Sequence, residues 1–152
     1  MKVKDLLAEK DSKVHTIDVD ATVEDAINEM AAKHISALIV MDGDRPVGIF
    51  TERDVLKTHL KHRDKAFTDI PVREGMTNKL IVAQLDDDLN MSMSTMIQAD
   101  IRHLPVVSEG KVVGMLSIRD IMQQHVQHVG SLKAELTYLQ DYISRLEDAK
   151  HD

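Results

Sequence analysis

Apolar runs and amphipathic segments alternate along the chain in an order that occurs twice. In the first copy, residues 17–19 predict a short strand, and apolar residues between 23 and 30 recur at the spacing of one helix face. Residues 37–41 form a continuous apolar run, typical of a strand that is covered on both faces. After a glycine-containing turn, residues 45–50 predict an antiparallel return strand that leads into a second helix. Each copy is therefore predicted to have the order strand, helix, strand, strand, helix.

The two copies align without a gap from position 17 to position 56, at an offset of 66 residues. Residues 48–54 (GIFTERD) thereby match residues 114–120 (GMLSIRD). A shorter lead-in also repeats, because residues 3–7 (VKDLL) resemble residues 72–76 (VREGM) at an offset of 69. The predicted organisation is a first repeat with its lead-in at 1–66, a connector at 67–75, a second repeat at 76–128 and a C-terminal heptad helix at 129–152.

Two β-α-β-β-α repeats and a C-terminal amphipathic helix predict a fold of the α/β (α+β) class. One repeat of about 55 residues would be marginally stable alone, since small domains bury a small fraction of their surface. We therefore expect the two copies to pack with pseudo-two-fold symmetry and to bury one shared core.

The last part of the chain carries a different pattern, an apolar stripe at alternating spacings of three and four residues. This spacing is that of positions a and d in a heptad repeat. It predicts either a helix that packs on its own domain or a helix that pairs with its twin in a homodimer. The stripe consists of Val129, Leu132, Leu136, Leu139, Ile143 and Leu146.

The composition narrows the classes of function. The 152 residues carry 19 Lys and Arg against 26 Asp and Glu, a net charge of −7, whereas binding to nucleic acid needs clustered cations. Nucleic acid is therefore not an expected partner. The lack of cysteine in the sequence excludes disulfides and thiol catalysis. No apolar run is long enough for a signal peptide or a membrane span, which predicts a cytoplasmic protein without membrane contact.

The sequence shows neither a catalytic nor a metal-binding pattern. There is no Ser-His-Asp spacing and no phosphate-binding Walker loop, so we do not expect an enzyme. Two histidine pairs at a spacing of three residues, His59 with His62 and His125 with His128, lack a third ligand, and we expect no metal.

A motif suited to phosphate occurs in each copy, where the last strand meets the following helix. Helix N-termini have unpaired N–H groups and a partial positive charge, which favour phosphate. A Thr or Ser hydroxyl can donate to a phosphate oxygen there, and an Asp three residues later can accept from both hydroxyls of a ribose, with an Arg beside it for phosphate. The alternative is a helix capping box that needs no ligand. The residues are Thr51, Arg53 and Asp54 in the first copy and Ser117, Arg119 and Asp120 in the second.

The paired motif resembles that of a tandem cystathionine-β-synthase (CBS) domain pair, also called a Bateman module. Residues 34–40 (HISALIV) and 101–107 (IRHLPVV) match the helix-to-strand segment of this family. The resemblance extends from about residue 3 to residue 126 and implies a stand-alone, bacterial-type member. It also implies an adenosine-containing ligand between the two copies: AMP, ADP, ATP, S-adenosylmethionine or, as in some small members, NAD(H).

The resemblance implies two ligand sites, one at each motif. The motif Asp would bind the ribose, and the motif hydroxyl and Arg would bind the phosphate. Arg102 and His103 would contact phosphate near the first site, and the second site could also recruit them. The residues implied near the adenine are Ile81 and Val82 in the first site and Val14, His15, Ser36 and Ala37 in the second.

The two copies differ where Ser36 and Ala37 stand opposite Arg102 and His103, which predicts unequal affinities without indicating the tighter site. The hypothesis is a regulatory homodimer that senses energy charge or redox state through an adenine nucleotide and passes the signal to an unidentified regulated protein. The alternative is a structural scaffold without a physiological ligand, whose C-terminal helix mediates assembly.

Overall fold

The two repeats form two three-stranded sheets of the same topology. The structure, a computed structural model, describes residues 1–10 and 13–151, with side chains up to residue 149. In chain order, the elements are α1 (Val3–Glu9), β1 (Thr16–Asp18), α2 (Val23–Lys33), β2 (Ala37–Asp42), β3 (Arg45–Thr51), α3 (Glu52–Lys61), two 3₁₀ turns (Phe67–Asp69 and Val72–Glu74), β4 (Ala83–Gln84), α4 (Leu89–Ala99), β5 (His103–Ser108), β6 (Lys111–Ser117) and α5 (Ile118–His151).

Each sheet joins one parallel and one antiparallel strand pair. β1 runs parallel to β2, which forms a hairpin with β3, and β4, β5 and β6 repeat this order. Both hairpins shift register at the same relative point, after Val40 and after Val106. Both turns place a glycine at positive φ, Gly43 at +64° and Gly110 at +76°, where side chains are strained. The predicted α+β class and the duplication are confirmed.

The lead-in of each repeat packs against the other repeat. Val3, Leu6 and Leu7 of α1 are buried in the hydrophobic cluster that β4, β5, β6 and α4 form. Ile70 and Val72, from the segment between the repeats, are buried in the cluster of β1, β2, β3 and α2. The amphipathic start of the chain therefore completes the second repeat, and the connector completes the first.

Backbone hydrogen bonds fix this exchange of lead-ins. The Val3 N–H donates to the Asp87 carbonyl (2.9 Å), and the Val72 N–H donates to the Ala21 carbonyl (2.8 Å). The expectation of one shared core is wrong, because the buried apolar residues form two separate clusters, each closed by its own exchanged segment. The predicted boundaries at residues 66 and 75 divide the chain in sequence order, so neither lead-in is assigned to the repeat in which it is buried.

The glycine that opens each motif lies where the exchanged lead-in crosses the sheet. A Cβ atom on Gly48 would lie 2.7 Å from the sulfur of Met76, and one on Gly114 would lie 3.0 Å from the side chain of Leu7. Leu7 and Met76 hold matching positions in the two lead-ins, at the offset of 69. Packing of the lead-in therefore accounts for the repeated glycine.

α5 continues without a break from the second motif through the C-terminal stripe. Residues 118–128 and 129–151, which the sequence assigns to different segments, form one helix of 34 residues. The six stripe residues are between 39% and 56% exposed, so the alternative in which the stripe packs on its own domain is wrong. Although α5 is long, neither it nor any other helix in the described part of the chain is apolar enough to cross a bilayer.

Leu6→Ala is expected to lower the free energy of unfolding by about 2–5 kcal/mol, because it opens a cavity in the hydrophobic cluster of β4, β5, β6 and α4. Denaturant unfolding measures this change. Leu56→Ala, at an exposed position of α3, is the matched control and should change it by less than about 0.5 kcal/mol. By hydrogen exchange, Leu6→Ala should reduce protection mainly in β4–β6, and a reduction confined to β1–β3 would contradict the exchange.

Candidate functional site

Both motif carboxylates cap the helices that follow them. At the first corner, the Thr51 N–H (2.9 Å) and the Thr51 hydroxyl (3.2 Å) donate to Oδ2 of Asp54. At the second corner, the Ser117 N–H donates to Oδ2 of Asp120 (3.2 Å), and the Asp120 N–H donates to Ser117 Oγ (3.1 Å). The capping box is therefore present at both corners, and a ligand would have to share the carboxylates with the caps.

Asp54 is a buried carboxylate, with 5% of its surface exposed. Burial raises the pKa of Asp54 above its usual value, against the lowering effects of the Thr51 hydrogen bonds and of the Lys57 and Arg53 charges. Among the residues that the structure describes, every hydrogen bond to this side chain reaches Oδ2. Oδ1 is thus open to a further donor, which a buried carboxylate gains from more than an exposed one does.

Asp120 has a cationic hydrogen-bond partner, which Asp54 lacks among the residues that the structure describes. Nζ of Lys10 donates to Asp120 Oδ2 (2.5 Å) and to the carbonyl of Met115 (2.9 Å). Burial acts to raise the pKa of Asp120, but the hydrogen bonds from Lys10 and Ser117 and the Lys10 charge together hold it below its usual value. The two motifs therefore have the same sequence pattern and different electrostatic states.

A cavity of about 440 Å³ lies between the repeats beside Asp54. This volume is within the range of about 300–1,000 Å³ that is typical of sites for small molecules. The cavity brings the motif of the first repeat together with residues of the second. The predicted site residues on its wall are Ser36, Thr51, Arg53, Asp54, Ile81, Arg102 and His103.

Arg53 reaches across this first cavity to the end of α4. Its Nη1 donates to the Asp100 carbonyl (2.7 Å) and lies 3.4 Å from the Asp100 carboxylate. Asp100 is the residue that ends α4, in the left-handed conformation. The arginine predicted to bind phosphate is therefore held by the opposite repeat.

A second cavity, of about 670 Å³, lies beside Asp120. Its wall also combines the two repeats, with cationic side chains from the lead-in and the start of α5. The predicted site residues that line it are His15, Ser36, Ala37, His103, Ser117, Arg119 and Asp120.

The residues that line the two cavities differ at a few positions from the predicted site residues. Val14 and Val82 do not line either cavity, whereas Glu52 lines both. Lys10 and Lys79, which were not predicted, line the second and the first cavity respectively. They hold matching positions in the two lead-ins at the offset of 69, so the repeated lead-in was a usable signal for both.

His103 and Ser36 form a direct link between the repeats and line both cavities. Their side chains are hydrogen-bonded, with 2.8 Å between Ser36 Oγ and His103 Nε2. Burial lowers the pKa of His103 below its usual 6.5, and the Arg102 and Lys10 charges add to this, against the raising effect of Asp120. The folded protein therefore favours the neutral imidazole of His103 more than the unfolded chain does.

The stability of the protein is expected to fall as the pH decreases below about 6.5. His103 in the unfolded chain binds a proton near pH 6.5, whereas His103 in the folded protein binds it only at a lower pH. Between these two pKa values the unfolded chain binds more protons than the folded protein, so a decrease in pH favours unfolding. The free energy of unfolding should lose this contribution across that window, and His103→Gln should remove this part of the pH dependence. An NMR titration of His103 with a midpoint above 6.5 would contradict the assignment.

Comparison with known proteins agrees with the duplication. A sequence model of the CBS domain matches residues 3–61 and again residues 68–126. An uncharacterized 17.7 kDa protein of Acidianus ambivalens is 35% identical over 112 residues, which are 72% of this chain and 66% of that protein. The matched region thus spans slightly less than two thirds of that relative, and smaller shares of others.

Two solved structures share the fold. The CBS domain structure of NE2398 is 37% identical, with a TM-score of 0.78, covering 83% of this chain and 98% of that one. The CBS domain protein PAE2072 from Pyrobaculum aerophilum, complexed with AMP, is 28% identical, with a TM-score of 0.68, covering 79% of this chain and 89% of that one. With both repeats matched, this chain belongs to the CBS domain family.

Proposed function

We propose that this chain is a regulatory module that binds an adenosine-containing nucleotide in the first cavity. The observation that carries the proposal is the meeting of a buried carboxylate, Asp54, with arginines of both repeats, Arg53 and Arg102, around one space. The AMP complex of the related PAE2072 supports a ligand of this class. The proposed ligands are AMP, ADP and ATP in the first place, and NAD(H) and S-adenosylmethionine carry the same adenosine group.

The chemistry of the first cavity suits a ribose phosphate. Oδ1 of Asp54 would accept hydrogen bonds from the vicinal hydroxyls of the sugar, while Oδ2 keeps the cap of α3. Arg53 and Arg102 would neutralise the phosphate, since guanidinium groups pair well with phosphate oxygens. The hydroxyl of Thr51 already donates to Asp54. Thr51 would therefore contribute to phosphate binding as the N-cap residue of α3, whose first N–H groups favour phosphate.

Ligand binding would change a contact between the repeats. A phosphate in the first cavity competes with Asp100 for Arg53, and Asp100 ends a helix of the opposite repeat. The ligand can shift the equilibrium between two arrangements by no more than its difference in affinity for them. Through such a shift, a cytoplasmic protein of this kind would report energy charge or redox state to a regulated partner without being an enzyme.

Asp54→Asn is expected to weaken AMP binding about 10- to 100-fold, because it removes a charge-assisted hydrogen bond worth about 1.5–3 kcal/mol. Isothermal titration calorimetry with AMP, ADP, ATP, NADH and S-adenosylmethionine measures this. Asp44→Asn, in the exposed turn between β2 and β3, is the matched control and should bind AMP like the unchanged protein. Equal affinity of Asp54→Asn and the unchanged protein would reject the ribose assignment.

A second candidate function is that of a structural scaffold, which the exposed stripe of α5 favours. If none of these five ligands produces heat with the unchanged protein, the scaffold is the better description. In either function, we propose that the stripe pairs with a second copy of the chain. Positions a hold Val129, Leu136 and Ile143, and positions d hold Leu132, Leu139 and Leu146.

The composition of the stripe favours a parallel, two-stranded pair. Two of the three a positions, Val129 and Ile143, are β-branched and all three d positions are leucine, a pattern typical of parallel dimers. In this arrangement, Glu135 faces Gln140 of the second copy and Glu147 faces Tyr142, so that no two acidic side chains meet. The stripe covers three heptads.

Leu136→Glu is expected to convert the dimer to a monomer, because it places a charge at the centre of the a/d seam. Light scattering after size-exclusion chromatography measures the mass. Ala134→Glu adds the same charge on the opposite face of α5 and should remain dimeric. A chain cut after Gly130 that stays dimeric would show that the stripe is not the dimer contact.

A further inference from the structure

Asp54 and Asp120, the two carboxylates proposed to bind the sugar, differ in the hydrogen-bond donors that already contact them. In the second cavity, Nζ of Lys10 contacts Oδ2 of Asp120 at 2.5 Å. The Met115 carbonyl, 2.9 Å away, holds the same ammonium group in place. In the first cavity, the hydrogen bonds to the Asp54 side chain come only from Thr51 among the described residues.

The exchange of lead-ins places Lys10 at this carboxylate. Lys10 directly follows α1, whose Leu7 packs against Gly114 in the strand that leads to the second motif. In the first cavity, the matching residue of the other lead-in is Lys79, which lines the wall without forming an ion pair with Asp54 in the described structure. The same residue type at the same repeat position therefore reaches the acid in one cavity only.

A lysine ammonium group and a sugar diol compete for the same acceptor. Both donate hydrogen bonds to a carboxylate, and the charged donor forms the stronger bond. Both Lys10 and Asp120 are largely shielded, with about a quarter of each side chain exposed (27% and 24%), so water screens their attraction less than on an open surface. A diol entering the second cavity would have to displace or share this ion pair.

We propose that Lys10 occupies the sugar subsite of the second cavity, which makes the first cavity the tighter site for ligands with a free ribose diol. This inference rests on the proposed function, because it assumes that these carboxylates bind ribose. Lys10 is in this sense a specificity-determining residue contributed by the start of the chain. It also gives the unequal affinities a physical cause and a direction.

The test measures adenosine binding to the second cavity alone. Adenosine carries the diol and no phosphate, so the loss of a lysine charge does not weaken a phosphate contact. In an Asp54→Asn background, which weakens ribose binding in the first cavity, calorimetry compares three proteins: the background itself, the background with Lys10→Met, and the background with Lys79→Met. Lys10→Gln is a second variant, in case the methionine disturbs the fold.

Lys10→Met and Lys10→Gln are expected to tighten adenosine binding about tenfold, since they free Asp120 for the diol. Lys79→Met should leave this affinity unchanged, and 2′,3′-dideoxyadenosine should bind the background and the Lys10 variants equally. Unchanged or weaker adenosine binding in both Lys10 variants would overturn the inference. If the unchanged protein still binds AMP in that case, the proposed function stands. If AMP and adenosine bind none of these proteins, both proposals are wrong.

Discussion

The burial of each lead-in in the opposite repeat is the interaction on which the other features depend. Removing an apolar side chain of this size from water is worth about 1.5–3 kcal/mol, and Val3 and Val72 are completely buried at matching positions. Neither cluster is complete without the segment that the other half of the chain supplies. The two exchanged segments thus connect the repeats on both sides of the cavities that lie between them.

The two copies of the motif are chemically distinct although both crossing segments carry a lysine at the same position. Lys10 forms an ion pair with Asp120, whereas the hydrogen bonds to Asp54 come, among the described residues, from the local cap of its helix. Burial dominates at Asp54 and raises its pKa, whereas hydrogen bonds and charge outweigh burial at Asp120 and lower its pKa. The repeated sequence sets the position of the two acids, and Lys10 of one lead-in contributes to the opposite directions of their pKa shifts.

The elements and the duplication could be predicted because they depend on local pattern. Apolar periodicity and the offset of 66 indicated the strands, the helices and the two corners. The exchange could not be predicted in this way, since residues 3–7 and 72–76 have the same pattern and nothing local states which repeat each one completes. The contact between Lys10 and Asp120 spans 110 positions, so it depends on that exchange. The sequence predicted a boundary at residue 129 because the spacing of the apolar residues changes there. A helix can continue through such a change, and α5 does so without a break.

The continuity of α5 joins the second corner to the far end of the molecule as a single rod. With 34 residues and a rise of about 1.5 Å per residue, it is roughly 50 Å long. Its first turn contains Asp120, so the helix starts at the wall of the second cavity. A tilt of about 5° at that wall would move the distal end by roughly 4 Å, as follows from the length of the rod. A small rotation of α5 at the wall of the second cavity would therefore displace the distal end of the helix by about the length of a side chain.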